Sequence, residues 1–202
     1  LIHLIEKDKS IEQQYNGIRR ARKDLEFCPA PFPEGNESWK NMFDIKRYNK
    51  KVHLYKDGKT GRILYAIARR DFIDESGKKS KQISPFSYCS MNGFVNKNFY
   101  SDKSHFLHED KFPTFNPSSS RDLLWVEGET TCDKAQELFP NYVCTTASGG
   151  VQSINNIKDF SVLHDCRTIT MWHDNNAEAQ GIFLEVAQEV QDLSLIHISE
   201  PT

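Results

Sequence analysis

Between Asp122 and Gln191 the chain alternates short apolar runs with amphipathic stretches, and this alternation restricts the fold more than any other feature. Leu123–Val126 is an unbroken apolar run, the mark of a strand buried on both faces. Tyr142–Thr145 and Ile169–Trp172 are further runs of the same length class. Thr130 or Thr131 is positioned to cap a helix running through Phe139, with Ala135, Leu138 and Phe139 on one face. Gly181–Gln191 carries Ile182, Leu184, Val186 and Val190 at helical spacing. Strand, helix, strand, loop, strand and helix in that order, with short connections, predict a parallel α/β sheet.

The upstream half reads differently. Residues 1–120 hold 22 Lys and Arg against 15 Asp and Glu, whereas residues 121–202 hold 4 against 13. A basic half joined to an acidic half suits two tasks, neutralising a phosphate backbone and holding divalent cations. Residues 1–40 read as a helical and linker segment, with prolines and a glycine making 28–38 a connector. Residues 41–100 read as a small β-rich subdomain. Val52–Tyr55 and Ile63–Ala68 alternate around Asp57-Gly58, the pattern of a β-hairpin, and Ser76-Gly77-Lys78 marks a second turn before a strand near Gln82–Tyr88. The polar stretch 101–120 reads as a linker to an acidic domain at 121–192. Leu193–Thr202 (LSLIHISEPT) reads as a translated sequencing adapter and is set apart from the fold.

Cations crowd the β-rich segment: Lys46, Arg47, Lys51, Lys56, Arg62, Arg69, Arg70, Lys78, Lys79 and Lys81. Tyr48, Tyr55, Tyr65, Phe72, Phe86 and Tyr88 fall among them. That composition fits a groove that tracks single-stranded nucleic acid and stacks its bases, or a solvated sheet face above ordinary core aromatics. No apolar run approaches the length of a membrane span, and no signal peptide is visible, which places the chain in the cytoplasm with no membrane partner. Its five cysteines include no C-x-x-C pair, so free thiols are expected and zinc is not.

In the acidic half, Glu127 directly follows the first apolar run, and Asp174 follows the third with one residue between. Open parallel sheets bind ligands at the carboxyl ends of their strands, so the two carboxylates are expected at one site. Oxygen donors of this kind suit Mg²⁺ or Mn²⁺. No G-x-x-x-x-G-K-[ST] and no G-x-G-x-x-G is present to support another nucleotide-binding fold.

LLWVEGETTCDKAQELF and CTTASGGVQSINNIKDFSVLHDCRTITMWHDNN together resemble the TOPRIM domain of phage- and plasmid-type primases. The resemblance implies a Rossmann-like parallel sheet with flanking helices, preceded by a smaller basic α+β subdomain. It implies a DNA primase, or the primase part of a primase–helicase, making RNA primers by Mg²⁺-dependent nucleotidyl transfer. Single-stranded DNA template and nucleoside triphosphates are the implied partners, with a replicative helicase as a further one. Glu127 matches the glutamate implied as general acid/base and metal ligand. Gly128 matches the glycine where the backbone turns, and Asp174 the first Asp of a D-x-D metal motif. Asn176 stands where that motif has its second Asp, and Gly181 matches a glycine opening the next helix. Ser148, Gly149 and Gly150 match a phosphate-binding loop, and His173 is expected at the rim. The same domain also serves nucleases and topoisomerases, and a copy with Asn176 also fits a non-catalytic nucleic-acid-binding module.

Overall fold

The computed structural model describes residues 29–42, 45–96, 105–113, 116, 121–154, 157, 160–163, 165–191 and 195–198. The expected helix within 5–26 and Cys28 lie outside them. The described chain is a mixed α/β structure with one antiparallel and one parallel sheet and few helices.

The antiparallel sheet contains β1 (Pro29–Ala30), β2 (Lys51–Lys56), β3 (Ile63–Ile73), β4 (Lys79–Cys89) and β5 (Gly93–Val95). Its order is β1-β4-β3-β2, with β5 also pairing β4. The hairpin expected around Asp57-Gly58 forms as β2–β3, closed by the Asp57 amide donating to the Arg62 carbonyl at 2.9 Å. The second turn likewise joins β3 to β4, but both strands run eleven residues, well past the alternating cores that predicted them. The stretch read as a connector supplies core instead. Phe32 within it is buried against Phe86 and Phe94, with Trp39 just after it packed on Phe32 and Phe86.

The parallel sheet contains β6 (Asp122–Val126), β7 (Tyr142–Thr145), β8 (Thr168–Trp172) and β9 (Leu195–Ile198) in the order β7-β6-β8-β9. Helices are α1 (Glu129–Leu138), the single turn α2 (Val151–Ile154) and α3 (Ala177–Gln191). Strand β6 is buried on both faces as its sequence predicts. Leu123 and Trp125 face one cluster with Phe106, Phe183 and Val190, while Leu124 and Val126 face another with Cys132 and Ala135. The second cluster also holds Tyr55, Tyr65 and Ile67 of the antiparallel sheet, so one apolar core joins the two sheets.

Three local expectations are corrected. Gly128, not Thr130 or Thr131, is the N-cap of α1, and the helix ends at Leu138. Gly181 lies inside α3, which opens at Ala177 because the Asn176 side chain caps it. Residues 105–113, read as linker, are packed: Phe106, Leu107 and Phe112 are buried, and the Leu107 amide donates to the Thr146 carbonyl at 2.9 Å. Their polar neighbours hid three apolar anchors. The segment set apart as adapter-derived contributes β9, which pairs with β8 from Thr168↔Leu195 to Met171↔Ile198. A short apolar alternation of any origin can pair with an open strand edge.

Candidate active site

The order β7-β6-β8-β9 has a consequence for function. From β6 the chain crosses through α1 to β7 on one side, and from β8 it crosses through α3 to β9 on the other. The carboxyl ends of β6 and β8 therefore flank the point where the winding reverses, where the sheet leaves a crevice. Glu127 and Asp174 leave the sheet there. The Asp174 amide donates to Glu127 Oε2 at 3.1 Å, so strand ends 47 residues apart in sequence are brought together as expected. Loss of solvent pushes the Glu127 carboxyl above its ordinary range. The Asp174 amide opposes that shift and the Asp174 charge adds to it. A carboxyl so placed is a better proton acceptor than a free one.

The crevice encloses about 340 Å³. One wall carries Glu127, Gly128, Glu129, Gly149, Gly150 and Asp174; the other carries Ile67, Arg69, Lys81 and Ile83 from the antiparallel sheet. Gly149 and Gly150 have φ of +90° and +75°, consecutive left-handed positions that favour glycine. Gly128, in contrast, is extended at φ −152°, with nothing within 4 Å of where a Cβ would lie. Its expected role in turning the backbone is not what this geometry requires. Ser148 is not among the residues lining the crevice; it lies near the hydroxyls of Tyr55 and Tyr65.

Asn176 is placed differently from the carboxylates. Its Oδ1 accepts from the Ala179 amide at 2.8 Å, the N-cap bond of α3. His173 is buried rather than at the rim. Its Nδ1 lies 2.8 Å from the Asp174 carbonyl oxygen, which can only accept, so the ring carries its proton on Nδ1. Among the described residues no three His, Cys, Asp or Glu converge as a metal-holding group.

Sequence reasoning missed Glu129. It opens α1, faces the crevice and accepts from the Tyr55 hydroxyl at 2.9 Å. Its place two residues after Glu127 was visible, but nothing local showed that a buried tyrosine from another sheet would hold it. The aromatic residues are also redistributed. Tyr55, Tyr65 and Phe86 are fully buried, with Tyr55 and Tyr65 stacked at 4.5 Å, so these three are core and not open stacking platforms.

The cations divide into groups. Lys51 pairs with Asp133 of the acidic half at 2.6 Å, and Lys56 pairs with Asp110 in the packed segment 105–113 at 2.9 Å. Arg70 lies 3.9 Å from the Tyr48 ring centre and 5.1 Å from that of Phe72; Arg47 lies 5.1 Å from Tyr48. Arg62 lines a separate hollow beside Phe32 and Trp39, and Lys46 is exposed on the turn before Tyr48. Arg69 and Lys81 reach the crevice; Lys78 and Lys79 lie farther out beside them.

Cys89, Cys132, Cys144 and Cys166 are buried thiols. Burial pushes the Cys144 thiol up to about 11, so it stays protonated near neutrality. No described helix is long and apolar enough to cross a membrane.

No family model matches the chain, and no curated protein matches it. A solved structure titled as the crystal structure of a DNA primase domain from Pseudomonas aeruginosa is similar at a TM-score of 0.47 and 12% identity. The likeness covers 75% of this chain and 43% of that one, so the chain spans less than half of that domain. A likeness at this level defines neither family nor function. What the fold and site define is a class: an α/β protein with paired carboxylates at a sheet's reversal point, faced by cations.

Proposed function

We propose that the crevice is a TOPRIM-type nucleotidyl-transfer centre, and that the protein is a DNA primase or the primase part of a primase–helicase. The observation that carries this reading is the Glu127–Asp174 contact at the reversal point, with Arg69 and Lys81 on the facing wall. The donor chemistry fits Mg²⁺ or Mn²⁺, since such ions bind through one or two carboxylates plus substrate phosphates and keep several waters. Glu127 and Asp174 would hold the ion, which when bound supplies neutralisation of phosphate charge. Glu127, at the strand end beside Asp174, takes the proton of the attacking hydroxyl. Arg69 and Lys81 offset the charge of a triphosphate from the opposite wall, and Gly149 and Gly150 let the backbone approach it. Phosphoryl transfer asks for little beyond such positioning and charge compensation.

A second reading, a non-catalytic nucleic-acid-binding module, is favoured by one observation: the Asn176 amide oxygen is already used to cap α3. Calorimetric titration with Mg²⁺ separates the two. The transfer reading expects binding at millimolar Mg²⁺ that Asp174→Asn abolishes; absence of binding by the unaltered protein favours the module.

A further inference from the structure

Strand β8 turns alternate residues toward the core it shares with α3. Ile169 and Met171 are fully buried there, in one cluster with Phe183 of α3. The alternation continues one step past the strand, to His173, which is 5% exposed with its ring centre 6.1 Å from that of Phe183. A hydrocarbon ring would fill that position and leave no polar atom unpaired. The histidine leaves one, because its Nε2 is buried with no hydrogen-bond partner among the described residues. An unpaired buried group destabilises a fold, so the reason for a histidine here has to lie with its other ring nitrogen.

That nitrogen, Nδ1, is 2.8 Å from the carbonyl oxygen of Asp174. The same oxygen accepts from the Asn176 amide at 2.7 Å, and the Asp174 amide donates to Glu127 Oε2 at 3.1 Å. Asp174 is thus held through both of its backbone polar groups, while its residue lines the crevice. Asp174, Asn175 and Asn176 are all exposed, so hydrogen bonds rather than packing define this turn. Of the groups that hold it, the imidazole is anchored in the core. His173 is not among the residues lining the crevice, so whatever it contributes passes through Asp174.

We propose that His173 is a positioning residue for the paired carboxylates: its Nδ1–H fixes the Asp174 carbonyl and so sets where Asp174 stands beside Glu127. The inference rests on reading the crevice as a transfer centre, and within that centre His173 acts on Asp174 and never on a substrate. Hydrogen-bonded support behind a metal-holding group is typically worth about 10–100-fold in metal affinity or activity.

Two substitutions in the full chain separate this role from packing. His173→Phe keeps a ring against Phe183 and removes the donor. It is expected to melt no lower than the unaltered protein, since the unpaired Nε2 goes with the donor. It should nonetheless lose about tenfold in Mg²⁺ affinity by calorimetry and in turnover of ribonucleotide incorporation, with the nucleotide KM little changed. His173→Asn keeps an N–H close to where Nδ1 stands and leaves a small cavity. It is expected to melt lower and yet to retain most of the affinity and turnover. A histidine that only packs would give the opposite order.

Two spectroscopic readouts need no activity. Long-range ¹H–¹⁵N correlation on the unaltered protein should place the ring proton on Nδ1, which decides the matter even if His173→Phe does not fold. The Asp174 amide resonance should shift in His173→Phe and return in His173→Asn. A proton on Nε2 alone, an Asp174 amide unmoved by His173→Phe, or equal losses in the two variants would overturn the proposal. If the unaltered protein binds no Mg²⁺ and makes no product while the amide still shifts and returns, the positioning role stands and the transfer reading falls. Product formation in which His173→Phe matches the unaltered protein does the reverse.

Discussion

The two sheets solve the problem of presenting charge in opposite ways. In the parallel sheet the charged groups sit at strand ends, and the strands themselves are apolar on both faces. Glu127 and Asp174 are positioned by the backbone path, and the core beneath them contains none of their charge. In the antiparallel sheet charged side chains alternate along the strands, so register alone decides what each one meets. Lys51 is consumed in pairing with Asp133, Lys56 with Asp110 and Arg70 in bracing; among the described strand cations Arg69, Lys79 and Lys81 face outward along the crevice wall, Arg69 itself paired with Asp71. A summed charge of one half therefore overstates what is offered to a partner. Part of the basic excess holds the halves together.

Because Tyr55, Tyr65 and Ile67 share a core with Leu124 and Val126, the two sheets are expected to unfold together. The largest effect should follow Trp125→Ala. Its ring is fully buried and lies 4.8 Å from Phe106, and losing it is expected to cost about 3–5 kcal/mol. Denaturant unfolding followed by far-ultraviolet dichroism and by tyrosine fluorescence should give one coincident transition. Two separated transitions would break the comparison as drawn.

A smaller effect should follow Tyr55→Phe, which removes the hydroxyl bond to Glu129 across the junction and keeps the ring stack. A bond to a carboxylate is worth about 1.5–3 kcal/mol, less where water replaces it, and the same denaturant curve measures it. A loss near zero would mean that the apolar core alone joins the sheets.

The smallest predicted change is one of proton affinity. Glu127 carries a raised pKa, so the metal-free protein keeps this carboxyl protonated to higher pH than an ordinary glutamate. The unfolded chain releases that proton earlier, so this group costs the fold stability as pH rises through the ordinary carboxylate range to the folded value. Asp174→Asn removes the negative neighbour and should lower the Glu127 pKa, read by carboxyl ¹³C shifts. An unchanged titration would separate the two side chains electrostatically.

Much of the parallel sheet was legible because a two-sided strand leaves an unmistakable apolar run, as at Leu123–Val126. The carboxylates were legible for the same reason, since a strand end in such a sheet is a ligand position. The cap of α3 was harder. The apolar pattern begins only at Gly181, five residues past Asn176, so nothing local marked it as a cap, and the metal motif it resembled drew it to another role. Residues 105–113 misled because Phe106, Leu107 and Phe112 are too few to show a period. What sequence could not supply was register across β3 and β4. Nothing local distinguishes Arg69, which faces the crevice, from Arg70, which faces Tyr48. Adjacent residues in a strand point to opposite faces, and only the pairing says which face is which.

The central claim is that Glu127 and Asp174 form a transfer centre served by single-stranded template. Its most direct test is incorporation of labelled ribonucleotides on single-stranded DNA with Mg²⁺, comparing the unaltered protein with Glu127→Gln. The account predicts product from the unaltered protein and a loss of about 10²–10⁴-fold in the variant, the range for a positioned acid/base group, with oligo-dT affinity largely retained. Undiminished synthesis by Glu127→Gln would contradict it.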